Sequence, residues 1–537
     1  MEIIKLPSGT QARVAEYYEQ DILEYRNNPF IEALGPILSQ QEVIDKLSVY
    51  PPYNNEERFL EDHKRVHFIQ RLLHYFQPMP IHLEIQSSID RLLRAGYISR
   101  NPFSKAYAKG YIDNWKNIQN GTFDHSAIQT GQTMTIIGVS GVGKSRTLQR
   151  IFDNNTIPQV ICHTSYKNQP LNQYQVTYLK IETPFDGSVK TIIYDFMYQF
   201  DLLMGTDYFK RYANSRLSTS QLMPIMAQIA KGVGCIIIDE LQYLKEVKSK
   251  NSTQILNFFT ALINSVNIPI IMISTPKGMS ILQSQFRQAR RNTNAGNIMW
   301  DRLKKDEVWD LFIQGLWKYQ WTREVAPFNE EFSSLLFEVS CGVLDLAIKT
   351  YMMCQIRSIS SGEEKITLDL IERVSKEELK MVQPMLHALR NNNYRKIADY
   401  DDLTFPDIEE FLMREQIVID QKQVMESLKQ GVERKSKQDK FIEDAVFRLG
   451  ILGVDESVAR ETISRIISQN YNASKDLSSV VQEAFKILAF SATKDNGPNE
   501  KDIRKIVERG KENDLSAYQS LLEAGMIKQE YVVSDAS

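Results

Sequence analysis

Apolar positions in the first hundred residues recur at spacings of three and four in the stretches 11–25, 40–47, 56–76 and 85–96. Turns at Asn28-Pro29-Phe30 and Pro51-Pro52-Tyr53 separate them. That spacing lines one side of an α-helix with apolar side chains, so residues 1–100 are predicted to form a separate helical region. Within it, Phe59, Leu60, Val66, Ile69, Leu72 and Leu73 supply the stripe expected to face a core. From about residue 101 the pattern changes. Short apolar, β-branched runs at 134–139, 159–163, 176–182, 233–239 and 268–274 alternate with helical stretches. Strands joined by helical crossovers imply an α/β fold with a mainly parallel sheet covered on both faces, and such a sheet takes its ligand at the carboxyl ends of its strands. Helical spacing returns over 304–390, where a small helical lid is expected. A polar interval containing Pro406 follows, and then amphipathic stretches at 439–469, 477–492 and 501–511. The pattern divides the chain into 1–100, 101–303, 304–390 and 391–537.

Composition changes this picture only at its margins. A chain of 537 residues exceeds what one core can organise. No apolar run is long enough to span a bilayer and no secretion signal opens the chain, which predicts an intracellular protein without a membrane partner. The cysteines Cys162, Cys235, Cys341 and Cys354 are widely spaced and read as core thiols. The formal charge is −3, and residues 391–537, with 21 basic and 27 acidic side chains, are the acidic part. Contact with nucleic acid must therefore come from a local patch and not from overall charge.

The candidate chemistry begins at 133–151. Gly138, Val139, Ser140, Gly141, Val142, Gly143, Lys144 and Ser145 fill the pattern G-x-x-x-x-G-K-[ST] between a strand and a helix. Backbone N–H groups and the helix N-terminus then converge on polyphosphate. Lys144 is expected to reach the β- and γ-phosphates and Ser145 to offer its hydroxyl to Mg2+, with Arg146 completing the nucleotide-binding set. The strand 233–239 ends in Asp239-Glu240, a Walker B arrangement in which Asp239 serves Mg2+ and Glu240 polarises the attacking water. A third strand ends in Ser274-Thr275, either of which could sense the γ-phosphate. Arg287, Arg290 and Arg291 follow; an arginine directed into a neighbouring subunit's site would stabilise charge on the transferring phosphoryl group. These residues predict an ATPase using ATP and Mg2+.

Together the residues resemble the AAA+ P-loop ATPases, and more narrowly the TnsC/TniB family of transposition regulators. The resemblance rests on GVSGVGKSRTLQRI at 138–151, YLKIETPFDGSVKTIIYDFMYQFD at 178–201, CIIIDELQYL at 235–244 and IIMISTPKG at 270–278. The long segment before the ATPase, including NNPFIEAL at 27–34, and the acidic tail look more like the longer TnsC branch. The resemblance implies a bacterial cytosolic protein that self-associates into ATP-dependent rings or filaments on duplex DNA. It also implies a connecting role, with residues 1–100 meeting a target-selection protein and 391–537 meeting transposase subunits. A departure is that the lid stretch Cys341-Gly342-Val343-Leu344-Asp345 holds no sensor-2 arginine, leaving Lys349 as the nearest cation. Lys167, Lys190, Lys210, Arg211 and Arg216 are the candidates for sequence-tolerant phosphate contact with DNA. A replication initiator or helicase loader of the same fold would share the loop and the Walker B acids.

Overall fold

The β-branched runs predicted as strands come together in one eight-stranded sheet of order β1-β2-β4-β5-β6-β7-β3-β8. The computed structural model describes residues 2–105, 107, 132–153, 156–245, 249–279, 296–393, 396–397, 406–470, 476–492, 503–513 and 515–527. The strands are β1 (Ile3–Lys5), β2 (Gln11–Val14), β3 (Thr133–Gly138), β4 (Val160–Tyr166), β5 (Gln169–Glu182), β6 (Val233–Asp239), β7 (Ile270–Ser274) and β8 (Asn297–Trp300). The five strands β5, β6, β7, β3 and β8 pair in parallel. Every residue of β3, β6 and β7 is buried, which is why those runs are continuously apolar rather than alternating.

Two antiparallel pairs modify the mainly parallel sheet. β4 turns directly back into β5 through Lys167 and Asn168, both in the left-handed region at φ 47° and 65°, the backbone that a tight hairpin requires. β1 and β2 form a second hairpin, and β2 then adds in parallel to β4. The helix predicted over 11–25 is therefore replaced by a strand lying between β1 and β4 and a short 3-10 turn at Leu23–Tyr25. Pro7 and Gly9, the latter at φ 89°, reverse the chain, and alternation then buries Ala12 between exposed Gln11 and half-buried Arg13.

Residues 1–100 accordingly share the sheet and are not detached from it. Their helices pack into the same core as the sheet face carrying Met134 and Ile136 and as the later helices. Arg65, fully buried, joins Asp62 and Glu364, linking helix Asp62–Ile69 to the segment after helix Leu344–Ser361. The predicted helix over 56–76 is broken into Asn55–Phe59, Asp62–Ile69 and Gln70–His74. Val66, Ile69 and Leu72 are buried as expected, whereas Phe59 stands 69% exposed. The opposite sheet face packs against helices Val189–Met204, Thr219–Ala230 and Ser249–Val266 in a second core.

Chain contacts divide the molecule into two units, Met1–Asp420 and Gln421–Ser537, the boundary falling inside the long helix Ile408–Ile451. Within the second unit, Leu449, Ile463, Ile467 and Ala484 centre a small helical core. Among the described residues no helix is long and apolar enough to cross a membrane, and all four cysteines are buried free thiols.

Candidate nucleotide site

The turn after β3 is built by exclusion of side chains. A Cβ on Gly138 would lie 2.5 Å from the Trp300 carbonyl oxygen, and Gly141 and Gly143 hold φ of 79° and 104°. Only glycine meets both demands cheaply. Gly143 then caps helix Lys144–Ile151 without a side chain of its own over the helix N-terminus. Ser140, Gly141, Val142, Gly143, Lys144, Ser145 and Arg146 line a cavity of about 660 Å³. Asp239, Glu240, Ser274 and Thr275 line it too, so the structure brings together the residues expected from the three strand ends. The Lys144 ammonium donates to the Gly138 and Val139 carbonyls at 2.6 and 2.9 Å.

Asp239 is buried at the end of β6. Its Oδ1 accepts from the Glu240 N–H at 2.9 Å, and its Oδ2 lies 2.8 Å from the Lys180 ammonium. Its carbonyl accepts from the N–H and hydroxyl of Thr183, which fixes the strand end. Glu240 takes a left-handed backbone, φ 56°, immediately after the strand ends. Burial, with the neighbouring Asp239 charge adding to it, raises the Glu240 carboxyl above the usual glutamate range. Gln242, buried after the strand, donates through Nε2 to Glu240 Oε2. Its Oε1 accepts from the Thr275 N–H at 3.2 Å and from Ser274 Oγ at 3.4 Å. Gln242 thus couples the glutamate to the end of β7, a role sequence reasoning missed because a glutamine two residues past an acid has no signature of its own.

The two hydroxyls at the end of β7 differ. Ser274 Oγ is spent on Gln242 and the Thr275 carbonyl. Among the described residues the buried Thr275 Oγ1 has no hydrogen-bond partner, although its residue lines the cavity. An orphaned buried hydroxyl beside a phosphate loop is a group waiting for an acceptor.

Apolar and aromatic side chains of Tyr75, Phe76, Met79, Phe312 and Ile348 also line the cavity. His82 joins them, with Nδ1 accepting from the Met79 N–H; burial lowers its pKa to about 4 and holds the ring neutral. Residues 75–82 therefore form part of the site, which the sequence reading assigned elsewhere. A planar base fits such walls. Leu344, Asp345 and Ile348 from helix Leu344–Ser361 line the cavity as well, and the Asp345 N–H donates to the Gly141 carbonyl at 3.1 Å. Lys349 pairs with Asp345 at 2.9 Å. Arg146 carries a guanidinium whose pKa burial lowers despite the Asp345 charge nearby.

The donor set suits the expected groups. A serine hydroxyl and one carboxylate are hard oxygen ligands of the number Mg2+ takes from protein when phosphates and water supply the rest. The glycine-lined turn and the unpartnered Thr275 hydroxyl suit a polyphosphate.

Of the other sequence candidates, Arg287, Arg290 and Arg291 lie outside the described residues. Lys190 stands over the Tyr194 ring, and Tyr194 packs against Phe209 beside Lys210 and Arg211. Arg211 pairs with Asp207 at 3.0 Å, and both are exposed, as are Lys210 and Arg216. Lys167 sits at the β4–β5 turn and donates to Asn27 Oδ1 at 2.6 Å, 3.9 Å from Glu32.

The parallel strands, the glycine-rich turn and the acids at the end of β6 give residues 133–275 the fold and site of a P-loop nucleotide-binding domain. A model of the AAA domain matches residues 127–282, which span β3 to β7. Among solved structures the chain is similar to the Aeropyrum pernix ORC1 protein in complex with DNA, at 10% identity over 58% of this chain and 82% of that one, TM-score 0.32. It is also similar to Cdc6p from Pyrobaculum aerophilum, at 12% identity over 60% and 87%, TM-score 0.32. Domain III of the Thermotoga maritima replication initiation protein DnaA matches at 15% identity over 52% and 94%, TM-score 0.27. Scores of this size bear on neither activity nor partner. No curated protein matches the chain.

Proposed function

We propose that this chain is an ATP-dependent, DNA-binding AAA+ regulator that oligomerises on duplex DNA and links a target-selection protein to transposase subunits. The observation that carries the ATPase part is the meeting of Lys144, Asp239, Glu240 and Thr275 around one cavity that Tyr75, Phe76, Met79 and Phe312 also line. In this reading Tyr75, Phe76 and Phe312 hold the base, and the loop N–H groups with Lys144 hold the β- and γ-phosphates. Ser145 and Asp239 would hold Mg2+, which would supply neutralisation of charge on the phosphates. Glu240, with its raised pKa, takes the proton of the attacking water, and Thr275 Oγ1 donates to the γ-phosphate. Gln242 holds Glu240 and the end of β7 in one hydrogen-bonded unit, so a shift at the γ-phosphate is felt at the base.

The transposition part rests on the motif resemblance, and the exposed Lys210, Arg211 and Arg216 are the phosphate-contacting candidates. The test is assembly of the purified chain on duplex DNA with ATP, followed by capture of a transposase encoded beside it. ATP-dependent oligomers that retain transposase support the reading. Oligomers that retain a replicative helicase instead would place the protein with initiators and helicase loaders.

A further inference from the structure

Asp239, the carboxylate assigned to the metal, already has a cation on it. Lys180 projects from β5, which runs parallel to β6 with Lys180 opposite Ile237 and Glu182 opposite Asp239. Ile237 and Asp239 share a sheet face because strand side chains alternate, so Lys180 lies on that face one step behind the acid. Its Nζ reaches forward to within 2.8 Å of Oδ2, while Oδ1 is taken by the Glu240 N–H. The pair is asymmetric: the Asp239 side chain is 6% exposed and that of Lys180 is 47% exposed.

A buried carboxylate without compensation is costly, and a hard dication and an ammonium repel each other on one carboxylate oxygen. Lysine can leave cheaply, being a point charge on a flexible stem. It also has somewhere to go. Lys180 is absent from the walls of the nucleotide cavity but lines a second cavity of about 990 Å³, which Asp239 and Ser145 share and which extends to Gln149, Gln159 and Tyr178; Asp153 in its wall is already paired with Arg150.

We propose that Lys180 is a positioning residue that occupies the Asp239 carboxylate when no metal is bound and withdraws into the second cavity when the metal arrives, so that metal loading is an exchange of cations. The proposal rests on the assignment of Asp239 to the nucleotide's metal. Lys180 then keeps the Walker B strand end ordered between turnovers and sets the metal affinity below what Asp239 alone would give.

The test uses the full-length chain, ADP and Mn2+, with free Mn2+ read by electron paramagnetic resonance. In K180M the Mn2+ affinity in the presence of ADP should rise on the order of threefold to fivefold, the worth of a partly exposed ion pair. In K180R, which keeps the charge and adds a bidentate grip, it should be no tighter than in wild type. In the wild-type chain, reductive methylation of Lys180, read by peptide mass spectrometry, should be faster with Mn2+ and ADP than without them. Unchanged Mn2+ affinity in K180M, with ADP bound by both proteins, overturns the exchange, as does a methylation rate indifferent to Mn2+ and ADP. Failure of the wild-type chain to bind ADP at all, with or without Mn2+, overturns the nucleotide reading itself and the proposal with it.

Discussion

In the proposed mechanism the chemistry turns on Glu240 and Thr275. Glu240→Gln keeps the size and hydrogen-bonding capacity of the side chain but removes the base, so hydrolysis should fall roughly 10²- to 10⁴-fold with nucleotide binding intact. The raised carboxyl pKa also has a direction in pH. The base form populates only above that pKa, so hydrolysis should decline with falling pH earlier than an ordinary glutamate would dictate. A rate profile of wild-type ATPase at saturating ATP reads this limb. At the end of β7 the sequence left Ser274 and Thr275 equivalent, because a hydroxyl pair at a strand end does not reveal which one is already bonded. The structure separates them: Thr275→Val should lower kcat about 10- to 100-fold through loss of a γ-phosphate donor. Ser274→Ala should change it far less, and steady-state kinetics of the two variants compare them directly. The phosphate loop and the Asp239-Glu240 pair were legible in sequence because each is a short local pattern with one geometry.

At the scale of elements, continuous apolar runs announced β3, β6 and β7, whereas β1 and β2 were hidden. A strand of four residues beside a Pro7-Gly9 turn carries too few positions to distinguish a period of two from one of 3.6. The same pairing brings residues of the first hundred onto the sheet through a buried polar chain. Tyr17 Oη donates to His163 Nδ1 at 2.8 Å, His163 Nε2 donates to Gln175 Oε1 at 2.9 Å, and Gln175 Nε2 donates to the Phe30 carbonyl. Burial lowers the His163 pKa to about 4, against 6.5 for the free group. The folded protein therefore binds no proton there over a range in which the unfolded chain does, and stability falls as pH drops from 6.5 toward 4. The loss at His163 should approach roughly 3 kcal/mol, with His82 contributing in the same direction. Urea unfolding at pH 7.5 and pH 5 should show this, and His163→Gln should reduce the difference while lowering stability at pH 7.5.

For the whole molecule, the sequence implied that the first hundred residues stand apart, and the sheet contradicts it. Helical periodicity reports which face of a segment is buried, not against what, and here Val66, Ile69 and Leu72 share a core with the nucleotide-binding sheet and the lid. Residues 75–82 reach the cavity for the same reason. Assembly and DNA contact belong to this scale. Lys210→Glu with Arg211→Glu should weaken duplex binding, lower the slope of log affinity against log salt by about two, and leave nucleotide binding unchanged. Fluorescence anisotropy across a salt titration checks it, and an unaltered slope removes that patch from the interface.

In the proposed function one cavity, lined by the phosphate loop, the Asp239-Glu240 pair and helix Leu344–Ser361, binds ATP and uses Glu240 to turn it over. Its most direct test is single-turnover hydrolysis of radiolabelled ATP by wild-type and E240Q protein with duplex DNA. The wild type should convert the ATP to ADP, and the variant should retain intact ATP in stoichiometric complex. Hydrolysis by E240Q at the wild-type rate would contradict it.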